Sequence, residues 1–282
     1  MNINDKKRLE VFAARIRLET VKEFISLGFG HIGGSLSIAD LLAVLYGKAM
    51  RIDPQHPQWP ERDKLVVSKG HSGPAVYAAL ALKGYFPMDW LRTLNRGGTN
   101  LPSHCDRNKT PGIDATTGSL GQGASQAVGI ALADKLSGYD NYIYLIVGDG
   151  ELEEGQTWEA VMFSAAHELQ NLIVFVDNNK KQLDGCIDEI QYQFDIPAKF
   201  AAFGFDTQFV QGHDVEQIYE AIENAKRVQD KPHAIILDTV KGKGVPEVEQ
   251  TYANHSLILT EEQKENWLRL LTAAVESKEK EG

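Results

Sequence analysis

Short apolar runs alternate with helical segments through the second half of the chain, and this alternation restricts the possible fold more than any other feature. Strands are predicted at 142–147, 172–177, 205–211 and 234–239, with helices at 154–169 and 215–228. Apolar strands that are joined by helices are typical of a parallel sheet whose two faces are both covered. The sequence therefore predicts an α/β fold, built on a parallel sheet with helices on both faces.

The first half of the chain is predicted to add more helices to this sheet. Apolar residues at helical spacing predict a helix over 6–27, which ends at Gly28-Phe29-Gly30. Residues 95–118 are rich in glycine, proline, threonine and asparagine, and a loop of this length is usually functional or disordered. No internal repeat or low-complexity linker is present, so residues 1–282 are predicted to form a single domain. One more strand is predicted at 63–67, and helices at 37–46, 73–82, 121–136 and 260–277.

Composition restricts the partners that such a chain would have. The net charge is −10 and no basic stripe is evident, which argues against nucleic acid as a partner. The first ten residues are polar, and no apolar stretch approaches the ~20 residues of a membrane span, so no membrane partner is expected. Cys105 and Cys186 form neither a disulfide framework nor a metal-ligand cluster, and this predicts a cytoplasmic location.

Two polar motifs follow two of the predicted strands. Gly148-Asp149-Gly150 follows the strand at 142–147, and Asn178-Asn179 follows the strand at 172–177. Ligands of open parallel sheets bind at the carboxyl ends of the strands, so Asp149 and Asn179 are expected to lie at one site. Carboxylate and amide oxygens suit Mg²⁺ or Ca²⁺, which binds phosphate oxygens at the same time. The pair therefore predicts a site for a metal ion and a diphosphate.

These motifs resemble the thiamine diphosphate motif of thiamine-dependent enzymes, and three further segments resemble the transketolases. They are Gly30-His31-Ile32-Gly33-Gly34-Ser35, Ser68-Lys69-Gly70-His71 and the glycine-rich run Thr116-Thr117-Gly118-Ser119-Leu120-Gly121-Gln122-Gly123. The resemblance extends from about residue 10 to about residue 256, with the segments in the order of the family. It implies the parallel-sheet fold that binds thiamine diphosphate, and a diphosphate-binding domain over 1–282.

The resemblance implies a role for each matching residue in binding the cofactor and metal. The metal ligands would be the side chains of Asp149 and Asn179 and the backbone carbonyl of Lys181. Lys181 replaces an apolar residue of the family, so its side chain is expected to point away from the cation. His71 and Gly150 would approach the diphosphate. Gly118 and Leu120 would lie near the aminopyrimidine ring.

The resemblance also implies catalytic residues. His31, His104 and His255 would face the sugar near the reactive carbon of the cofactor, and His255 would contact the cofactor as well. Imidazoles that titrate near neutral pH suit proton transfer to and from sugar hydroxyls. Glu154 would face its counterpart near a dimer axis, in a proton-relay network.

Other histidines and one cysteine lie outside this set. His104 stands in Ser103-His104-Cys105-Asp106, where the family usually has Gly-His-Pro-Glu. A nucleophilic pair of Cys105 and His104 is an alternative, but a weak one. His56, His167 and His213 have no motif around them and are expected to be solvated or structural.

The length of the chain implies a partner. Transketolases of the usual length have more than twice its 282 residues, and their second domain holds the glutamate that activates the cofactor. The chain resembles the N-terminal half alone, as in split transketolases. We therefore expect it to be inactive alone and to form an α2β2 heterotetramer with a C-terminal-type subunit.

The reaction implied is the transfer of a two-carbon ketol unit from a ketose or ketose phosphate to an aldose. Pentose phosphates are the default donors, but the donor stays open, because split transketolases also serve branched sugars or sulfosugars. One alternative is the α subunit of a thiamine-dependent 2-oxo acid dehydrogenase, which would not need His31, His71 and His104. Another alternative is a non-catalytic subunit that binds only the cofactor.

Overall fold

A computed structural model describes residues 1–280 and contains a five-stranded parallel sheet. The spatial order of its strands is β2-β3-β4-β6-β5, and every neighbouring pair is parallel. The predicted parallel sheet is thereby confirmed. The strands are β2 (Lys64–Val67), β3 (Ile143–Gly148), β4 (Leu172–Asn178), β5 (Asp206–Gln211) and β6 (His233–Asp238).

Helices cover both faces of this sheet. They are α1 (Ile3–Leu27), α2 (Ile32–Ser37), α3 (Ala39–Val44), α4 (Gly73–Leu82), α5 (Gln122–Leu136), α6 (Gly155–Ala166), α7 (Ile187–Ile190), α8 (Ile196–Ala202), α9 (Val215–Arg227), α10 (Pro246–Gln250) and α11 (Glu261–Lys280). Among these described helices, none is long and apolar enough to cross a membrane.

Alternate residues of β2, β3, β4 and β6 point to opposite faces and feed two separate cores, whereas no residue of β5 is fully buried. On β3, Tyr144 and Ile146 join the core formed with α1, α3, α4, α9 and α11. Ile143, Leu145 and Val147 join the other core, with α5, α6 and α8. A strand that is buried on both faces must be apolar throughout, and this explains the uninterrupted apolar runs of the sequence.

Local signals fix the helix ends. The side chain of Asn2 accepts a hydrogen bond from the Asp5 N–H at the start of α1. Gly28, with a left-handed φ of 92°, ends α1 as expected. Asp214 caps α9 by accepting from the N–H groups of Glu216 and Gln217.

A second, two-stranded sheet was not predicted. It pairs β1 (Phe29–Gly30) with β7 (Leu257–Ile258) in an antiparallel register. Strands of two residues leave no periodic signal in a sequence. This pairing brings the segment before His31 next to the segment after His255.

Several predicted boundaries differ from the structure. The helix predicted over 37–46 is replaced by α2, α3 and a π-helical turn at Leu45–Ala49. The helix predicted over 154–169 begins at Gly155, after a 3-10 turn at Gly150–Glu153. Residues 95–118 contain turns but no helix or strand, as expected.

Candidate functional site

A cavity of about 260 Å³ opens at the carboxyl ends of the parallel strands. The sheet register places Gly148 opposite Asp177, so the residues after β3 and β4 meet at one edge. All the residues predicted for the metal and cofactor line this cavity, and so do the three predicted sugar-facing histidines. They are His31, His71, His104, Gly118, Leu120, Asp149, Gly150, Asn179, Lys181 and His255.

Asp149 is a buried carboxylate whose hydrogen bonds come from the backbone. Its Oδ1 accepts from the Gly150 N–H at 2.8 Å and its Oδ2 from the Lys180 N–H at 2.5 Å. Burial, followed by the charge of Asp177, raises the pKa of Asp149 to about 7. Each oxygen keeps a further lone pair, and a divalent cation would compensate the buried charge. The environment of Asp149 therefore fits the metal site that the sequence predicted.

Asp177 orients the predicted amide ligand. It is fully buried, and its Oδ2 accepts from Asn179 Nδ2 at 2.8 Å. This bond fixes which way the amide is turned, and Asn179 Oδ1 accepts a long 3.2 Å bond from the Lys181 N–H. Ser37, Lys69 and Thr239 also donate to the Asp177 carboxylate. Burial alone would raise the pKa of Asp177, but the Lys69 charge and these bonds lower it.

Lys181 presents its backbone to the cavity and sends its side chain elsewhere. Its Nζ donates to the carbonyls of Glu249 and Thr251, at 3.3 and 3.0 Å. The side chain is thereby held near the end of α10, and the role of the Lys181 carbonyl as a metal ligand stays a prediction. The Lys181 carbonyl accepts from Lys241 Nζ at 3.0 Å, which leaves one lone pair for a metal ion.

Four histidines form one cluster beside these groups. The ring centroid of His31 lies 5.7 Å from those of His71 and His104 and 5.2 Å from that of His255. The rings of His71 and His255 are 4.7 Å apart. The cluster unites segments that are separated by up to 224 residues of sequence, from His31 to His255.

Burial changes the expected chemistry of these histidines. It is the main cause that lowers the pKa of His31, His71 and His104. Burial and the neighbouring Lys241 charge lower the pKa of His255 to about 3. All four rings are therefore mainly neutral at pH 7. A neutral imidazole donates a hydrogen bond from one nitrogen and accepts one at the other, which suits sugar hydroxyls.

Glu151 connects the glycine-rich run to the metal motif. The Gly121 N–H donates to its Oε1 at 2.8 Å and the Gly148 N–H to its Oε2 at 3.2 Å. Ser68 Oγ donates to the same carboxylate. One buried side chain thus holds the ends of β2 and β3 and the start of α5 together.

Glu154 lies outside the cavity. It is exposed and occupies the N-cap position of α6, where its side chain makes no capping hydrogen bond. A Cβ added at Gly121 would lie 3.2 Å from the Glu154 Cβ. The predicted place of Glu154 near a dimer axis stays a prediction.

Cys105 is not a nucleophile in this structure. It is buried, and burial raises the pKa of its thiol to about 12. A thiol of this kind is not deprotonated at neutral pH, so the alternative of a Cys105–His104 pair has no support.

Sequence reasoning missed four charged residues of the site, one of which is Glu151. Lys69, Asp177 and Lys241 are all less than 5% exposed and form its buried ionic interior. Lys69 lies within Ser68-Lys69-Gly70-His71, and Asp177 directly precedes Asn178-Asn179. Lys241 follows the predicted strand at 234–239. Burial and the Lys69 charge lower the pKa of Lys241 to about 8.

Residues 9–271 match the family described as transketolase, thiamine diphosphate binding domain. The chain is 55% identical to 6-deoxy-6-sulfo-D-fructose transketolase subunit SqwG of Clostridium sp. strain MSTE9, over 95% of this chain and 94% of that protein. It is 40% identical to an apulose-4-phosphate transketolase subunit of Actinobacillus succinogenes, over 78% and 79% of the two chains.

Solved transketolases share its fold over nearly the whole chain. The transketolase of Campylobacter jejuni superposes with a TM-score of 0.86 at 30% identity, covering 99% of this chain and 46% of that one. The transketolase of Leishmania mexicana gives a TM-score of 0.85, also at 30% identity, and this chain spans 45% of it. The chain therefore belongs to the transketolase family, as a subunit that carries its thiamine diphosphate-binding domain.

Proposed function

We propose that this chain works with a C-terminal-type subunit, in an α2β2 heterotetramer, to transfer a two-carbon ketol unit from a ketose to an aldose. The observation that carries the proposal is the convergence of four histidines on the cavity that also holds Asp149 and Asn179. Such a site can bind a metal-diphosphate group and many sugar hydroxyls at once. Residues 1–282 would act as one diphosphate-binding domain, in the cytoplasm.

The residues of the cavity divide into two sets in this proposal. Asp149, Asn179 and the Lys181 carbonyl would hold Mg²⁺ or Ca²⁺, with diphosphate oxygens completing the coordination. His71, His255 and the Gly150 backbone would contact the cofactor, and Gly118 and Leu120 would line its aminopyrimidine end. Thiamine diphosphate, when bound, supplies the carbanion chemistry.

His31, His104 and His255 would orient the sugar and carry its protons. Because all three are neutral, each can accept a proton from one hydroxyl while donating a hydrogen bond to another. Glu154, outside the cavity, would meet its counterpart across the dimer axis and link two sites.

For the donor, we propose a 6-sulfo ketose of the 6-deoxy-6-sulfo-D-fructose type. The relative that shares 55% of its residues is named for that sugar, whereas the relative named for apulose-4-phosphate shares 40%. His31, His104 and His255 would meet the sugar through its hydroxyls, so selection of the anionic tail would fall to the partner subunit.

A 2-oxo acid dehydrogenase subunit is a weaker reading of the same metal motif. That reaction presents few hydroxyls to the protein, so it would not require four histidines in one cavity. The family match also argues against it, and against a subunit without catalysis.

Reconstitution tests the proposal. The chain and a C-terminal-type transketolase subunit are purified separately, then mixed with thiamine diphosphate, Mg²⁺ and an aldose phosphate acceptor. Sulfofructose, fructose 6-phosphate, xylulose 5-phosphate and pyruvate serve as donors. We expect turnover only in the mixture, fastest with sulfofructose. Robust turnover by this chain alone would contradict the split site, and preference for pyruvate would contradict ketol transfer.

A further inference from the structure

The segment that follows β6 carries Lys241 into the cavity, and its backbone is held on both sides of that residue. The Val240 N–H donates to His213 Nε2 at 2.8 Å. The Lys243 carbonyl accepts from Arg17 Nε at 3.0 Å. Lys241 Nζ in turn donates to the carbonyls of Lys181 and Gln182, at 3.0 and 3.2 Å. The backbone that carries this ammonium is therefore held by contacts made outside the cavity.

Both outside contacts belong to one ionic unit. Arg17 of α1 donates from both terminal nitrogens to Asp40 at the start of α3, with 3.0 Å between Nη1 and Oδ1. His213, which follows β5, places its Nδ1 2.8 Å from Asp40 Oδ2. Arg17, Asp40 and His213 are mostly buried, and we call them the Arg17–Asp40–His213 triad.

The contacts of His213 define its protonation. Asp40 Oδ2 is an ionised acceptor, because the charge of Arg17 and the bond from His213 outweigh burial and hold the pKa of Asp40 at about 2. Nδ1 must therefore carry the hydrogen. The Val240 N–H can donate only to a nitrogen without hydrogen, so Nε2 is bare. Both ring nitrogens are thus used, in the Nδ1–H tautomer.

We propose that the Arg17–Asp40–His213 triad is a positioning device for Lys241, which sets where its ammonium stands against the metal-binding carbonyl of Lys181. Arg17 and His213 lie outside the residues that line the cavity, so they act through the backbone of residues 240–243. The stem of Arg17 leaves no room for a side chain at Gly244, since an added Cβ would lie 2.9 Å from Arg17 Cδ. The proposed consequence for cofactor binding rests on the proposed function, whereas the positioning itself does not.

Two measurements on the cofactor-free chain test the positioning. In the wild type, ¹⁵N chemical shifts should identify His213 as the Nδ1–H tautomer. Hydrogen exchange over 239–245 is then compared in His213→Leu, which removes donor and acceptor, and His213→Gln, which keeps one of each. We expect about 10-fold faster exchange in the leucine variant and near wild-type exchange in the glutamine variant. His56→Leu, at an exposed histidine, is the matched control and should change nothing.

A third measurement tests the route through Lys241, using calorimetry of thiamine diphosphate and Mg²⁺ binding to the reconstituted complex. His213→Leu should weaken binding about 10-fold, as loss of an orienting neighbour does at metal sites. In a Lys241→Met background, His213→Leu should cause no further loss of affinity for thiamine diphosphate.

Three results would overturn the inference: an Nε2–H tautomer of His213, unchanged exchange in a folded His213→Leu variant, or losses that multiply with Lys241→Met. If His213→Leu does not fold, the tautomer of His213 in the wild type and hydrogen exchange in His213→Gln still test the inference. A complex that binds no cofactor would contradict the proposed function, while the tautomer and exchange results would still stand on their own.

Discussion

At the scale of single residues, the surroundings of Asp149 disfavour its negative charge when no cation is bound. Its pKa, raised from 3.8 to about 7 by burial and by Asp177, means that the folded chain holds a proton there more tightly than the unfolded chain does. In the metal-free chain the ionised carboxylate therefore lowers stability above pH 7. This cost decreases as the pH falls and is absent below about pH 3.8.

Asp149→Asn is therefore expected to have opposite effects on stability and on binding. Without metal at pH 8, urea unfolding should show a gain on the order of 2–4 kcal/mol, and this gain should vanish near pH 4. With Mg²⁺, calorimetry should show at least about a 100-fold loss of thiamine diphosphate affinity, because the metal loses its carboxylate ligand.

The control for this substitution is Asp184→Asn, at an exposed aspartate of the loop after Asn179. It should leave both quantities unchanged. If Asp149→Asn destabilised the metal-free chain at pH 8, Asp149 would have a structural role that outweighs its charge. If it left the affinity unchanged, Asp149 would not be a metal ligand.

The sequence predicted the residues that motifs mark and missed those that work through contacts between distant segments. Asp149 and Asn179 follow strands, and His31 and His71 stand in segments that resemble the family, so local context was enough to find these four. In the sequence, Asp177 is only the last residue of an apolar strand. Its role in the site depends on the hydrogen bonds that it accepts from Ser37, Lys69, Asn179 and Thr239. Such bonds exist only after folding has joined those segments.

At the scale of elements, Gly123 allows helix α5 to pack closely against Ser68, the residue that follows β2. A Cβ added at Gly123 would lie 2.6 Å from Ser68 Cα, a backbone atom that cannot move aside easily. Gly129, in the same helix, is exposed, and a Cβ there would meet nothing within 4 Å among the described residues. A substitution at Gly123 therefore tests close packing, whereas a substitution at Gly129 tests helix propensity.

Alanine substitutions at these two positions should change stability in opposite directions. Gly123→Ala should destabilise the chain by about 1–3 kcal/mol, through overpacking of α5 against β2. Gly129→Ala should stabilise it by about 0.5–1 kcal/mol, because alanine favours a helix interior. Urea unfolding of both variants measures this, and a gain in stability for Gly123→Ala would show that α5 can shift away from Ser68.

Element types were more predictable than element boundaries. Four of the five parallel strands carry the apolar runs that burial on both faces requires, and β5 is the exception because none of its residues is fully buried. The helix predicted over 37–46 differs because Ile32–Val44 is buried on every side and has no amphipathic period to show where one helix ends and another begins. The short β1 and β7 depend on pairing with each other, which no local pattern records.

At the scale of the whole molecule, folding brings together groups that disfavour protonation of one another. His31, His71, His104 and His255 come from four separate segments and share a cavity with Lys69 and Lys241. The alternation of strands and helices predicted the sheet edge where they meet. It could not predict their mutual distances, because those depend on loops such as 95–118 and on the pairing of β1 with β7.

This convergence makes the stability of the fold depend on pH in a defined direction. The pKa of each of these histidines is lower in the folded chain than its ordinary value of 6.5, by burial first. Their neutral forms are compatible with the fold, so the associated stability is complete above pH 6.5. It is lost as the pH falls from 6.5 toward the lowered values, since the unfolded chain binds those protons first.

His255→Asn should therefore make the fold less sensitive to acid. The pKa of His255 is about 3 in the folded chain, so at pH 5 its protonation in the unfolded chain should cost about 1 kcal/mol, after allowance for partial exposure of the ring. Urea unfolding at pH 7.5 and pH 5 should show a smaller loss of stability for the variant than for the wild type, by about that amount. His56→Asn, at an exposed ring, should reproduce the wild-type difference. Equal losses in His255→Asn and wild type would mean that the ring of His255 is open to water and protons in the folded chain.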